Sequence, residues 1–273
     1  MGVKVVTSTV AGGDLPWERL HADFDAVFLA FGASSGSQLG IPGEEASGVY
    51  QATDLLVRAN LDAELLHEGM REPLPHFRHV VVVGGGDTSM DCVRSSIRLG
   101  AERVTLIYRR TEQEMQGRME ERQHAGEEGV HFEYLTSPLE VVVEGGAVSG
   151  LRCQRMVLGE PDDTGRARPQ PEPGSEFEID CDAIVLAIGY NVDDEWGEIT
   201  PDLVRDRWDR IVVDPVTMET NIPGVYAGGD NVNGADLVVT ALADGHRAAE
   251  AIDGYLRGLS QSVEEYFESG EAR

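Results

Sequence analysis

HVVVVGGGDTSMDCVRSSIRLGAERVTLIYRR, residues 79–110, decides the fold. Val80, Val81, Val82 and Val83 form an unbroken apolar run, as suits a strand buried on both faces. Gly84-Gly85-Gly86 follows at once, and residues 88–99 carry a helical pattern. A second apolar run, residues 104–108, completes a strand–turn–helix–strand unit. That is the context a dinucleotide-binding fingerprint requires. Gly84 permits the tight turn. Gly86 lets the backbone approach a pyrophosphate, which would sit at the helix N-terminus, where free N–H groups and the dipole favour an anion. Ser89 stands at the third fingerprint position and is small enough for close helix–strand packing. A glycine-rich turn without a ligand is the competing reading, and the lengths of the flanking elements weigh against it.

The second strand of the unit points to the kind of dinucleotide. An NAD site usually places Asp or Glu at the end of that strand to hold the ribose 2′-hydroxyl. Here the strand ends in Arg109 and Arg110. Two guanidiniums can hydrogen-bond a 2′-phosphate in forked fashion, so NADP(H) is expected over NAD(H). The alternative is a pair of solvated arginines on an acidic surface.

Outward from this unit, further short apolar runs read as strands at residues 3–7, 26–30, 141–143, 184–188, 211–213 and 225–227. Helical patterns lie at residues 53–68, 115–128 and 236–259. Alternating strands and helices indicate an α/β fold with parallel sheet. Residues 130–181 differ, with short β runs around Gly145-Gly146. Residues 159–174, rich in Asp, Arg and Pro, are expected to be an exposed loop joining antiparallel strands. The acidic tail, residues 261–273, is expected to fray from about residue 264.

Composition narrows the classes. The chain has 273 residues and 41% apolar residues, enough for a packed core. Asp and Glu number 49 against 22 Lys and Arg, a net charge of −27, which excludes the basic stripe of a nucleic-acid binder. No apolar run approaches the length of a membrane span, and the N-terminus lacks a signal-peptide pattern, so a cytoplasmic protein is expected. Cys92, Cys153 and Cys181 are far apart, with no CxxC or metal-ligand spacing. That argues against a zinc site, an iron–sulfur cluster or a dithiol centre within this chain. Lys4 is the sole lysine. Such a carboxylate-rich, lysine-poor surface suits a salt-adapted, halophilic protein, although a GC-rich genome also favours Arg over Lys.

A second glycine turn lies near the C-terminus, in IPGVYAGGDNVNGADLVVTALADGHRAAEAIDGYL, residues 222–256. A short strand ends in Gly228-Gly229-Asp230, and an Ala-rich helix is expected to begin near Ala235. The glycines admit a ligand to the backbone. Asp230 could accept from a polyol hydroxyl, and the helix N-terminus would face electron-rich atoms of a ring system.

Taken in order, FDAVFLAFGA (residues 24–33), LGIPGE (39–44), VVVGGGDTSMDC (81–92), YRRTEQEM (108–115), AIGY (187–190) and the GGD turn resemble the small (β) subunit of NADPH-dependent glutamate synthase and related FAD-dependent pyridine-nucleotide oxidoreductases. The resemblance extends to about residue 258. It implies an α/β protein of two dinucleotide-binding, Rossmann-like domains, the NADP domain complete and the FAD domain partial. Residues 1–43 and 191–260 would belong to the FAD domain, and residues 44–190 to the NAD(P) domain with its antiparallel insertion. The implied cofactor-binding residues are Gly84, Gly85, Gly86, Asp87 and Thr88 at the pyrophosphate, Arg109 and Arg110 at the 2′-phosphate, and Gly189 in the AIGY segment. Gly229, Asp230, Asp236, Leu237 and Val238 would serve FAD. Hydride would pass from NADPH to FAD and on to a partner acceptor. The chemistry belongs to the cofactors, so no side chain is expected to be catalytic and no metal is implied.

The chain also departs from that family. The iron–sulfur segment and the first FAD loop, with its own G-x-G-x-x-G, have no counterpart in it. Phe31 replaces a usual threonine. The chain therefore looks like the C-terminal part of such an enzyme. Its partners would be a large catalytic subunit or other redox partner, and a polypeptide carrying the missing FAD and iron–sulfur part. Three readings follow: a flavin oxidoreductase, a split or truncated subunit that binds NADP(H) but needs another polypeptide for flavin and activity, and a nonredox remnant. A thioredoxin-reductase-like reaction is disfavoured for want of a cysteine pair.

Overall fold

The structure, a computed structural model, describes residues 2–161, 165–193 and 195–269. In chain order it contains α1 (Trp17–Asp23), β1 (Val27–Leu29), β2 (Ser35–Gly36), β3 (Val49–Gln51), α2 (Ala52–Asn60), β4 (His79–Gly84), α3 (Asp87–Arg98), β5 (Arg103–Tyr108) and α4 (Met119–Glu127). There follow β6 (His131–Tyr134), β7 (Thr136–Glu144), β8 (Ala147–Pro161), β9 (Ala167–Asp180), β10 (Ala183–Ala187), β11 (Tyr190–Asn191) and α5 (Glu195–Ile199). The chain closes with β12 (Val225–Ala227), α6 (Asp230–Asn233) and α7 (Val238–Ser269). It divides into two compact units, residues 36–189 and residues 1–35 with 190–273.

The first unit holds a five-stranded parallel sheet in the order β3-β10-β4-β5-β6. β4 and β10 lie at its centre and are buried along their whole lengths, which accounts for their continuous valines, isoleucine and leucine. One face packs on α2 and α3 through Leu55, Met90, Cys92 and Val93. The other packs on the antiparallel sheet β7-β8-β9 through Val141, Val148 and Leu151. The sequence reading began this domain at residue 44. Leu39 and Ile41 already pack against the second cluster, which carries the compact unit back to Gly36.

Three local expectations change here. Most of residues 159–174, expected to be a loop, is strand: β8 runs to Pro161 and β9 begins at Ala167, while residues 162–164 lie outside the described residues. Pro169 and Pro171 fit there because β9 is an edge strand, where a missing N–H costs no ladder bond. The helix expected over 53–68 stops at Asn60, whose side chain donates to the Leu56 carbonyl, and short 3-10 turns follow at Ala63–Leu65 and Glu68–Met70. The helix expected from residue 115 begins at Met119, because Thr111 and Glu114 form a capping box around a 3-10 turn. The hydrogen bond from Gly117 N–H to the Gly85 carbonyl then draws the chain onto the glycine loop.

The second unit is thinner. β1 and β12 pair in parallel as a two-stranded sheet, with Trp17, Leu29, Leu203 and Ile211 in the core beside them. Phe31 stacks on Trp196 with ring centroids 4.0 Å apart, so the departure from threonine fills an apolar site. Residues 3–7, expected to be a strand, have no pairing partner among the described residues, and Val3 and Val5 are about four-fifths exposed (81% and 78%). Residues 211–213 make only an isolated bridge, from Ile211 to Arg205. α7 continues to Ser269, past the point where the tail was expected to fray, and residues 270–273 lie outside the described residues.

Candidate functional site

β4 ends at Gly84, with φ +148°. A Cβ there would lie 2.2 Å from the Ala187 carbonyl oxygen and 2.4 Å from Ser89 Oγ. The close passage of β10 and α3 therefore demands glycine. Ser89 Oγ donates to that same carbonyl, so the third fingerprint position links helix to sheet. Gly85 faces the Tyr108 ring, whose hydroxyl donates to the Glu114 carbonyl. Gly86 caps α3 in extended backbone, and a Cβ on it would meet open space. Among the described residues no acceptor engages the N–H groups of Gly85 or Gly86. The α3 dipole adds to these unsatisfied donors, so the turn suits an anion.

Asp87 and Thr88 open the helix half-buried. The Asp87 carboxylate accepts from the backbone N–H of Arg118 at 2.9 Å and from its Nε at 3.5 Å. The sequence reading missed Arg118. Its guanidinium stands at the helix start because Gly117 fits against the Gly86 backbone, where a Cβ would come within 3.2 Å. The Gln-Gly-Arg tripeptide was the available signal.

The two arginines at the end of β5, expected at the 2′-phosphate, part company. Arg109 is exposed. Arg110 is buried, and its Nε donates to the Ala167 carbonyl at 2.8 Å. Gly189, with φ +109°, follows β10, and its carbonyl accepts from Ser37 N–H.

In the other unit, β12 runs into Gly228 and Gly229, and Gly229 sits at φ +80°. The turn is held by a residue the sequence reading did not single out. Asp244, buried on α7, accepts from Gly229 N–H at 2.8 Å and from Asn233 Nδ2 at 2.6 Å, and pairs with Arg247. A carboxylate on the Ala241–Ala248 face of an Ala-rich helix was its signal. Asp230 is half-buried and accepts from Asp236 N–H at 3.3 Å. Leu237, 63% exposed, and Val238, 83% exposed, stand uncovered where α7 begins.

The three cysteines are buried, and burial pushes each thiol up to about 12. None offers a thiolate near neutral pH. Among the described residues no cluster of His, Cys, Asp or Glu could hold a metal ion. Among the described residues no helix is long and apolar enough to cross a membrane.

The chain thus carries a parallel sheet whose glycine turn feeds a helix in one unit, and a second glycine turn in the other. The family model described as pyridine nucleotide-disulphide oxidoreductase matches residues 4–245, and the chain belongs to that family. The chain is 43% identical over 259 residues to the NADP(+)-dependent formate dehydrogenase subunit beta of Moorella thermoacetica, covering 94% of this chain and 35% of that protein. It is 39% identical over 262 residues to the glutamate synthase (NADPH) small chain of Escherichia coli (strain K12), covering 94% of this chain and 56% of that one. It thus spans from about a third to just over half of the length of these relatives. The resemblance to glutamate synthase small subunits is borne out. In fold the chain is similar to Mycobacterium tuberculosis FprA in complex with NADPH, with a TM-score of 0.75 and 20% identity over 93% of this chain and 69% of that chain.

Proposed function

We propose that this chain is the nucleotide-reading part of an NADPH-dependent flavin oxidoreductase of the glutamate synthase small-subunit type. The observation that carries the reading is the Gly84–Gly86 turn. It presents the unengaged N–H groups of Gly85 and Gly86 at the start of a twelve-residue helix. These donors would hold the NADP(H) pyrophosphate, with Asp87 and Thr88 opening the helix beside them. Arg109 would read the 2′-phosphate. Arg110, turned inward, would position the strand end instead of contacting the nucleotide.

The second turn fits part of a flavin site. Gly229 leaves room for close backbone approach, and Asp244 holds it in its left-handed conformation. Asp230 would take the polyol portion, while Asp236, Leu237 and Val238 would meet the ring system at the α7 N-terminus. FAD, when bound, supplies the two-electron acceptor for the nicotinamide hydride.

One feature favours the split-subunit form of this reading. A two-stranded parallel sheet is marginal, and parallel sheets are normally covered on both faces. Among the described residues no further strand pairs with β1, and β12 meets on its other side only residues 218–220, through a single antiparallel bridge between Tyr226 and Glu219. A segment carrying another βαβ unit, either continuous with this chain or on a separate subunit, would complete the sheet and the flavin site. The final acceptor would be a large subunit or other redox partner.

Calorimetric titration of the purified chain with NADP+ and NAD+, alongside flavin content by absorbance, tests the proposal. Binding of NADP+ at least tenfold tighter than NAD+, with substoichiometric FAD and little NADPH-dependent dye reduction, is expected. Supplying the βαβ segment should restore flavin and turnover. Equal affinity for the two nucleotides would defeat the NADP(H) assignment, and stoichiometric FAD with turnover in this chain alone would defeat the split-subunit form.

A further inference from the structure

Beyond the start of β7 at Thr136, which pairs with Arg155, β8 and β9 continue alone as a two-stranded arm. In it Met156 faces Pro171, Leu158 faces Pro169 and Pro161 faces Ala167. Two sets of hydrogen bonds tie this arm to the end of β5. At its root, Met156 N–H donates to the Leu135 carbonyl at 2.7 Å, and Leu135 N–H donates to the Arg110 carbonyl at 3.1 Å. At its far end, Arg110 Nε donates to the Ala167 carbonyl at 2.8 Å. The arm is thus anchored twice to one residue, and that residue lies where the strand end meets a dinucleotide's ribose.

Arg168 adjoins Ala167 and is exposed, as is Arg109 next to Arg110. Among the described residues neither has a carboxylate within ion-pair distance. In a chain of net charge −27, an anionic ligand needs local positive charge to offset the general repulsion. Two arginines without carboxylate partners, flanking one guanidinium–carbonyl bond, supply it.

We infer that the β8–β9 arm is part of the nucleotide site and that Arg168 is a specificity-determining residue for the 2′-phosphate, acting with Arg109. The inference rests on the NADP(H) reading above and adds an element that lies outside the strand–turn–helix unit. Arg110 becomes the tether that holds the arm.

The test titrates the full chain with NADP+, NAD+ and 2′,5′-ADP by calorimetry, so neither flavin nor turnover is needed. Arg168→Ala should weaken NADP+ and 2′,5′-ADP at least fivefold and leave NAD+ within twofold. Arg168→Lys should recover part of the loss. Arg152→Ala, which removes an equal charge from the same antiparallel sheet, where Arg152 pairs with Glu140, should leave the nucleotide preference unchanged. Arg109→Ala serves as the reference. A loss with Arg109→Ala but none with Arg168→Ala overturns the arm's role and leaves the NADP(H) reading standing. An equal loss with Arg152→Ala also overturns it, since overall charge would then explain the effect. If the unaltered chain binds NADP+ and NAD+ alike, the NADP(H) reading itself fails.

Discussion

His79 opens β4 and is buried between the two sheets of its unit. Its Nδ1 lies 2.5 Å from the Asp180 carbonyl oxygen, and its Nε2 lies 2.8 Å from Thr105 Oγ1. A neutral ring protonated at Nδ1 satisfies both, donating to the carbonyl and accepting from the hydroxyl. Burial holds the imidazole below its ordinary value, and Arg103 lowers it further, while the Asp180 carbonyl and the Asp180 and Asp182 carboxylates oppose the shift. Below the ordinary value of about 6.5 the unfolded chain therefore binds more protons than the folded one. The ring's contribution to stability is retained above that pH and falls as pH drops through it. His79→Gln should cost about 1 kcal/mol near pH 8 through the altered hydrogen bonds. The gap to the unaltered chain should narrow as pH falls from 7.5 to 5.5. Urea unfolding at stepped pH checks this, and a gap independent of pH would refute it.

The glycine turn separates a folding role from the binding role proposed for it. At Gly84 an added Cβ meets the Ala187 carbonyl at 2.2 Å on a backbone with φ +148°. Gly84→Ala should destabilise the chain by about 3 kcal/mol or more, read as a fallen Tm or a loss of folded protein. At Gly86 the backbone is extended and a Cβ finds open space. Gly86→Ala should keep its Tm within a few degrees yet weaken NADP+ about tenfold, because the methyl group would stand where the pyrophosphate approaches. Unchanged NADP+ affinity in a folded Gly86→Ala protein would remove the turn from the proposed site.

Across the whole chain, charge and incomplete cover dominate. A net charge of −27 destabilises the compact state by self-repulsion, which salt screens. If the acidic surface is a salt adaptation, Tm should rise on going from low to molar KCl. Each 1 kcal/mol of relief corresponds to roughly 2–4 °C for a protein of this size. A flat or falling Tm would favour genome composition as the origin of the arginine-rich, lysine-poor sequence. The unit holding β1 and β12 also leaves Leu237, Val238, Val239 and Leu242 exposed at the start of α7, where the proposed flavin site lies.

Much of the parallel sheet was legible because its signals are local. Four valines, three glycines and a helical pattern in one continuous stretch specify strand, turn and helix through backbone sterics and side-chain period. The glycine turns, the acidic surface and the absence of a cysteine pair needed nothing beyond the chain itself. What the sequence could not reveal depends on residues far apart. Arg109 and Arg110 are neighbours and look equivalent until Ala167, 57 positions away, takes the Arg110 guanidinium. Asp244 is one acid among 49 until Gly229 N–H donates to it. Gly117 and Arg118 read as the start of a helix until Gly85 offers its carbonyl. Residues 3–7 have the composition of a strand, but a strand exists only where another supplies the ladder of hydrogen bonds, and none is alongside among the described residues. Local conformation follows from the period and sterics of neighbouring residues. Which donor meets which acceptor follows from the path the whole chain takes.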